Sequence, residues 1–315
     1  MNKQYNIIKK LYNNKNINNI CDNIDIIYEL NYKKDYLINK CNSAKYSFNE
    51  LISYINKCNY VCVIKSEISN IKFNIYYSNF SELNIIKFTK IYKRIIILSN
   101  LYNINKIINF NIILCPFKRY FPNENEILDS RHINGGFTYL NSNDIFIIRK
   151  DECGKVMLHE LIHHISIIND ISFTYDEIIK LKHTFNLSKS LNLIPNESVV
   201  EFWATIYQII FVSIDYDISY KLVLDKEIGH SISLCNRLLN NNVKYWYEET
   251  NAYSYIVFKL IFLLNNNKFI NIYTFPYSSS SITNFLIKNK KTINRNSNII
   301  NYNKNSLNLM IFGSY

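Results

Sequence analysis

The stretch Val156-Met157-Leu158-His159-Glu160-Leu161-Ile162-His163-His164-Ile165 constrains this chain more than any other. It contains H-E-x-x-H, and its apolar residues predict a mostly buried helix reaching about Ile168. On a helix two histidines four apart share one face. Neutral imidazoles at that spacing can bind a single zinc ion. Glu160 lies about 100° round the helix from His159, beside such an ion and not on it. A carboxylate there can take a proton from a water on the metal and pass it to a leaving amine. Leu158, Leu161, Ile162 and Ile165 would partly bury both imidazoles, which then need polar partners, and a metal is one. The plainer reading is a surface His–Glu–His on an amphipathic helix.

The 315 residues can bury a full core, as one large domain or two small ones. A hydrophobic content of 48% with 15% aromatics argues against general disorder. Asn, Ile, Lys and Tyr are heavily used and share A/T-rich codons, so that bias reads as a genome-composition effect. It also weakens any inference from the net charge of +11. Such a charge suits nucleic acid, anionic membrane or acidic protein partners. The lysines are scattered, however, and pairs such as Lys9-Lys10, Lys33-Lys34 and Lys290-Lys291 read as solvated faces. Seven cysteines without CxxC spacing read as reduced thiols, which implies an intracellular setting and no second zinc site. No signal peptide is visible after Met1, and the run from Ile256 to Leu264, interrupted by Lys259, is too short to span a bilayer.

Residues 1–57 read as short helices broken near Asn13-Asn14 and Asn18-Asn19, an N-terminal helical cap. From Tyr60 the pattern turns to strands. Val61 to Ile64 and Ile71 to Tyr77 predict a hairpin, and Ser81 is placed to cap a helix running to about Tyr102. Asn111 to Cys115 predicts a buried strand stopped by Pro116, followed by a surface loop from Phe117 to Asp129. Gly136 to Leu140 and Ile145 to Ile148 predict a second hairpin, with Asp151-Glu152 then favouring the start of the motif helix. Residues 58–169 thus form one subdomain. Residues 170–268 read as helical, with segments at Tyr175 to Phe185, Glu197 to Ile214, Leu222 to Leu239 and Tyr245 to Leu264. Residues 269–315, rich in Asn, Ser and Lys, read as a weakly ordered tail.

Zinc needs a third protein ligand and an open position for water. Asn196-Glu197-Ser198-Val199-Val200-Glu201 begins 33 residues after His163 and sets two acids one turn apart. HELIH followed by an N-E-x-x-x-E helix resembles the gluzincins, the thermolysin-like class of HExxH zinc metallopeptidases within the zincin superfamily. The resemblance implies a zincin-like α+β fold, with a small mixed sheet, a backing helix and an active-site helix above a mainly helical lower subdomain. It implies that His159, His163 and Glu197 hold Zn2+, that Glu160 is catalytic, and that Glu201 orients a ligating histidine from the second shell. Glu201 as the ligand, with Glu197 solvated, is the alternative; two acids simply placed at a helix start are a third arrangement. In zincins a strand at the sheet edge pairs with an extended substrate above the metal, and the candidate lies within Gly136 to Ile148. Asn134 to Thr138, Ile147 to Lys150 and Lys155-Val156 also resemble uncharacterised zinc peptidases encoded by large DNA viruses. The spacing is longer than in thermolysin-type enzymes, and no metzincin third histidine follows His163.

The expectation is therefore a zinc-dependent peptidase acting on proteins or peptides. A Tyr or His often stabilises the oxyanion in such enzymes, and His230, Tyr245, Tyr247 and Tyr253 are the residues available for it. His164 reads as structural, and His132 and His183 have no recognisable partners. A zincin-shaped binding module without activity is the alternative. A basic nucleic-acid binder is a further one, but the chain has no RNA-recognition signature.

Overall fold

A six-stranded sheet organises the first part of the chain in this computed structural model, with strand order β1-β2-β3-β4-β6-β5. The structure describes residues 2–46, 48–123, 126–139, 142–164, 171–239, 245–272, 278–294 and 307–313. They form two compact units. The sheet unit comprises Asn2–Lys118, Asn134–His164 and the chain from Gly313; the helical unit comprises Arg119–Ile133 and Ile165–Phe312.

In the sheet unit β1 (Asp25–Leu30), β2 (Tyr60–Lys65) and β3 (Ile71–Tyr77) form an antiparallel meander. β4 (Ile108–Ile113) runs parallel to β3 and to β6 (Asp144–Ile147), and β5 (Gly136–Thr138) closes the far edge antiparallel to β6. The architecture is mixed, α+β, with an open sheet. β2 to β4 are buried at nearly every residue because both sheet faces are covered there, and the buried Asn74 of β3 donates to Asn111 of β4. The helix Ile85–Leu101 makes the parallel crossover from β3 to β4 and buries Phe88, Ile91, Tyr92 and Ile95. The motif helix, Cys153–His164, packs against β5, β6 and that crossover helix.

Both predicted hairpins form, with Leu140 and Asn141 of the second outside the described residues. Three local expectations differ. The segment read as helices throughout contains β1, whose six residues are all exposed, so no alternation of apolar and polar residues marks it as a strand. Ser81 is not the helix cap: Asn79 and Glu82 form a capping box on a single 3-10 turn, and Asn84 accepts the Lys87 N–H at the start of the long helix. Tyr245 to Asn251 are not helical. Trp246 bridges to Leu187 there, and the following segment is a π turn, Ser254–Phe258, leading into Lys259–Leu264.

The helical unit is built on Asn196–Asp215 and Tyr220–Leu239, which pack on each other and on the Ser254–Leu264 stretch. Asn196–Asp215 is long and apolar enough to cross a membrane by length and composition, but it is buried like the core helix of a folded unit. The serine run expected in a weakly ordered tail instead opens a helix, Ser279–Asn289. Ser278 caps it, and Phe285 packs its ring against Phe262 and Phe269. Buried apolar positions three to four apart (Ile282, Phe285, Leu286) outweigh the polar composition there.

Candidate metal centre

The motif helix is buried on almost every side, as its apolar residues require. His159 is 7% exposed and Glu160 6%, while His163 is half-buried. The helix starts where Glu152 takes a left-handed φ of 56°, a conformation costing a non-glycine residue about 1 kcal/mol. The Glu152 carbonyl accepts the Val156 N–H, and the Gly313 carbonyl accepts the Lys155 N–H, one of the amides a helix start leaves without an intrahelical partner. A Cβ on Gly313 would lie 2.7–2.9 Å from the Glu152 side chain, so a larger residue there would have to displace Glu152.

His159 and His163 meet as the four-residue spacing predicts. Their Nε2 atoms are 3.1 Å apart and their rings stand edge to face, 4.9 Å between centroids. Two imidazole nitrogens at about 2.0–2.1 Å from a tetrahedral zinc would be about 3.3 Å apart. The observed pair fits that requirement within a few tenths of an ångström. One imidazole donating to the other would give a similar separation, so a third donor is what separates the two accounts. Glu197 stands in the first turn of the helix Asn196–Asp215, half-buried, in the helical unit. Glu201 is fully buried one turn further along the same helix. Asn196 fastens the start of that helix by donating to the Ile171 carbonyl at 2.8 Å.

Of the two hairpin arms, β5 is the edge strand. The Ile148 N–H donates to the Gly135 carbonyl, so Gly135 and Ile148 are a hydrogen-bonded pair. Antiparallel alternation makes Phe137 and Phe146 the next such pair, and turns the N–H and C=O groups of Gly136 and Thr138 toward the outer edge. Phe137 stacks between Tyr46 and Phe146 on one face. Gly136 faces the motif helix, where a Cβ would lie 2.9 Å from Val156 Cγ1, 3.2 Å from Glu160 Cγ and 2.8 Å from the Phe146 carbonyl. Glycine is therefore what lets helix and edge strand close up beside Glu160.

His164 lies off the pair. Its Nδ1 is 2.8 Å from Lys106 Nζ and its Nε2 is 2.6 Å from Thr138 Oγ1. An ammonium only donates, so Nδ1 accepts and Nε2 carries the proton toward Thr138. Burial, reinforced by Lys106 and His163, pushes the His164 pKa down to about 4, consistent with a neutral ring.

Other residues singled out in the sequence have partners of their own in the helical unit. His132, read as lacking a partner, is fully buried between Asp129 Oδ1 at 2.7 Å and Glu126 Oε1 at 3.3 Å, a correction explained by the short helix Ser130–Ile133 folding it back onto both acids. His230 Nε2 lies 2.8 Å from the Asn308 carbonyl. Tyr253 is buried against Phe185 and Phe258, whereas Tyr245 and Tyr247 are exposed. Glu227, Lys259 and Glu248 are buried ionisable groups with no motif around them to mark them in the sequence. No family model, no curated protein and no solved structure matches the chain.

Proposed function

We infer that this chain is a zinc-dependent peptidase with a zincin-like, gluzincin-type arrangement. The observation that carries the reading is the His159–His163 pair, with Glu160 between them on one buried helix that packs against an edge strand. His159, His163 and Glu197 would hold the metal, and Glu201 would act from one turn further along as the orienting acid. When bound, zinc supplies Lewis acidity that lowers the pKa of a water and polarises a peptide carbonyl. Glu160 then has two tasks: it accepts the proton of the attacking water and delivers it to the departing nitrogen. Its near-complete burial favours both, since a proton held there is shielded from exchange with bulk water. Gly136 and Thr138 offer outward main-chain N–H and C=O groups to an extended peptide, which accounts for specificity toward polypeptide backbone.

The test is Glu160→Gln, measured for zinc content and for cleavage of a mixed peptide library with and without phenanthroline. The reading expects zinc retained and kcat lower by about 10²–10⁴-fold. A variant that keeps zinc and cleaves as fast as the unmodified chain would overturn it in favour of a binding module of the same shape.

A further inference from the structure

We propose that His164 is a positioning residue: it locks β5 lengthwise against the motif helix and so sets how an extended peptide seats beside the histidine pair. The inference rests on the peptidase reading and adds to it a residue and a substrate class, peptides long enough to pair with both Gly136 and Thr138.

Two contacts define the alignment of helix and strand. Val156, Glu160 and His164, spaced four apart, share one helix face. Gly136 faces the first two, with room for a hydrogen but no Cβ. Two residues on, Thr138 returns to the same face of the strand, and its Oγ1 accepts from His164 Nε2 at 2.6 Å. Gly136 fixes how close the strand lies, while the directional bond at Thr138 fixes where it stops along the helix.

The lock has a physical reason. β5 is three residues long and, among the described residues, pairs on one side alone, so its own ladder specifies register weakly. Thr138 is also one of the two residues whose main-chain groups face outward, so movement of its side chain moves the substrate-pairing groups with it. Lys106 completes the device by donating to Nδ1 at 2.8 Å, which leaves the imidazole proton on the nitrogen facing Thr138.

The experiment compares Thr138→Val, Thr138→Ser, His164→Ala and His164→Gln in the full chain. It uses a nested series of peptides around the best-cleaved library sequence, with zinc content as the control. Thr138→Val keeps the shape and removes the acceptor. It is expected to raise KM for the longest peptides by about five- to tenfold, a larger rise than for the shortest cleaved peptide, with KM changing more than kcat. Thr138→Ser should restore KM. His164→Gln, whose amide can accept from Lys106 and donate to Thr138, should outperform His164→Ala. Equal losses at every peptide length, or no change in Thr138→Val, would overturn the proposal.

Affinity of the same labelled peptides, read by fluorescence anisotropy in a Glu160→Gln background, separates the two claims. If the unmodified chain does not cleave but Thr138→Val still weakens long-peptide binding, the peptidase reading fails and the lock stands. If the chain cleaves and Thr138→Val binds and cleaves normally, only the lock fails. Absence of both cleavage and peptide binding rejects both.

Discussion

The two units bury polar side chains for different ends. In the helical unit Glu227 accepts the Ile311 N–H at 3.0 Å, Lys259 donates to the Leu309 carbonyl at 2.7 Å and Gln208 donates to the Phe312 carbonyl at 2.9 Å. Glu227 and Lys259, both fully buried, also pair at 3.9 Å. These side chains hold the Leu307–Phe312 segment through its main chain, a structural task. In the sheet unit the motif helix turns two imidazole nitrogens toward each other, with a carboxylate between them in sequence. Burial alone therefore does not mark chemistry. What sets the motif helix apart is that its imidazole nitrogens face each other instead of neighbouring backbone, the arrangement on which the proposed metal site rests.

The sharpest way to break this contrast is Lys259→Met. Leaving Glu227 buried without its cation should destabilise the chain by about 3–5 kcal/mol, read by urea unfolding, with no change in zinc per folded chain. Loss of zinc from folded Lys259→Met would show that the two kinds of burial are not separate.

Glu197 tests the boundary, because it belongs to the helical unit by chain position yet is assigned to chemistry. Glu197→Gln should weaken zinc binding by more than Glu201→Gln, whose loss should fall in the range of about 10–100-fold expected for an orienting acid. The reverse order, measured by competition with a chelating dye, would exchange their roles.

A further contrast, read through pH, concerns Glu248. Burial pushes its pKa up to about 8, against the opposing pull of the Tyr253 N–H, Trp246 and the Ala252 N–H. An unfolded glutamate ionises near 4.5 while folded Glu248 keeps its proton, so stability falls as pH rises from about 4.5 to about 8. Glu248→Gln should flatten that part of the melting-temperature profile, with the largest difference from the unmodified chain near pH 8. An unchanged slope would mean that another group carries it.

How much of this was legible follows from where the information lies. The His159–His163 pair was readable because helix geometry converts a four-residue spacing into a shared face, with no need for tertiary information. The second hairpin was readable from its turn residues and β-rich arms, but the identity of β5 as the edge was not, since strand order depends on partners distant in sequence. β1 escaped notice for the opposite reason: it is held by backbone pairing to β2, with every side chain exposed, and leaves no pattern to read. Gly136 was visible as a residue but not as a requirement, because its reason is the proximity of Val156 and Glu160. The Glu227–Lys259 pair joins residues far apart in sequence and could not have been matched by spacing.

The central claim is that the histidine pair exists to hold a metal. Zinc per chain, determined by atomic absorption on the purified unmodified chain and on the combined His159→Ala and His163→Ala variant, tests it most directly. The account predicts one zinc per chain in the first and none in a second that remains folded. A metal-free unmodified chain after zinc loading, or full zinc in the double variant, would contradict it.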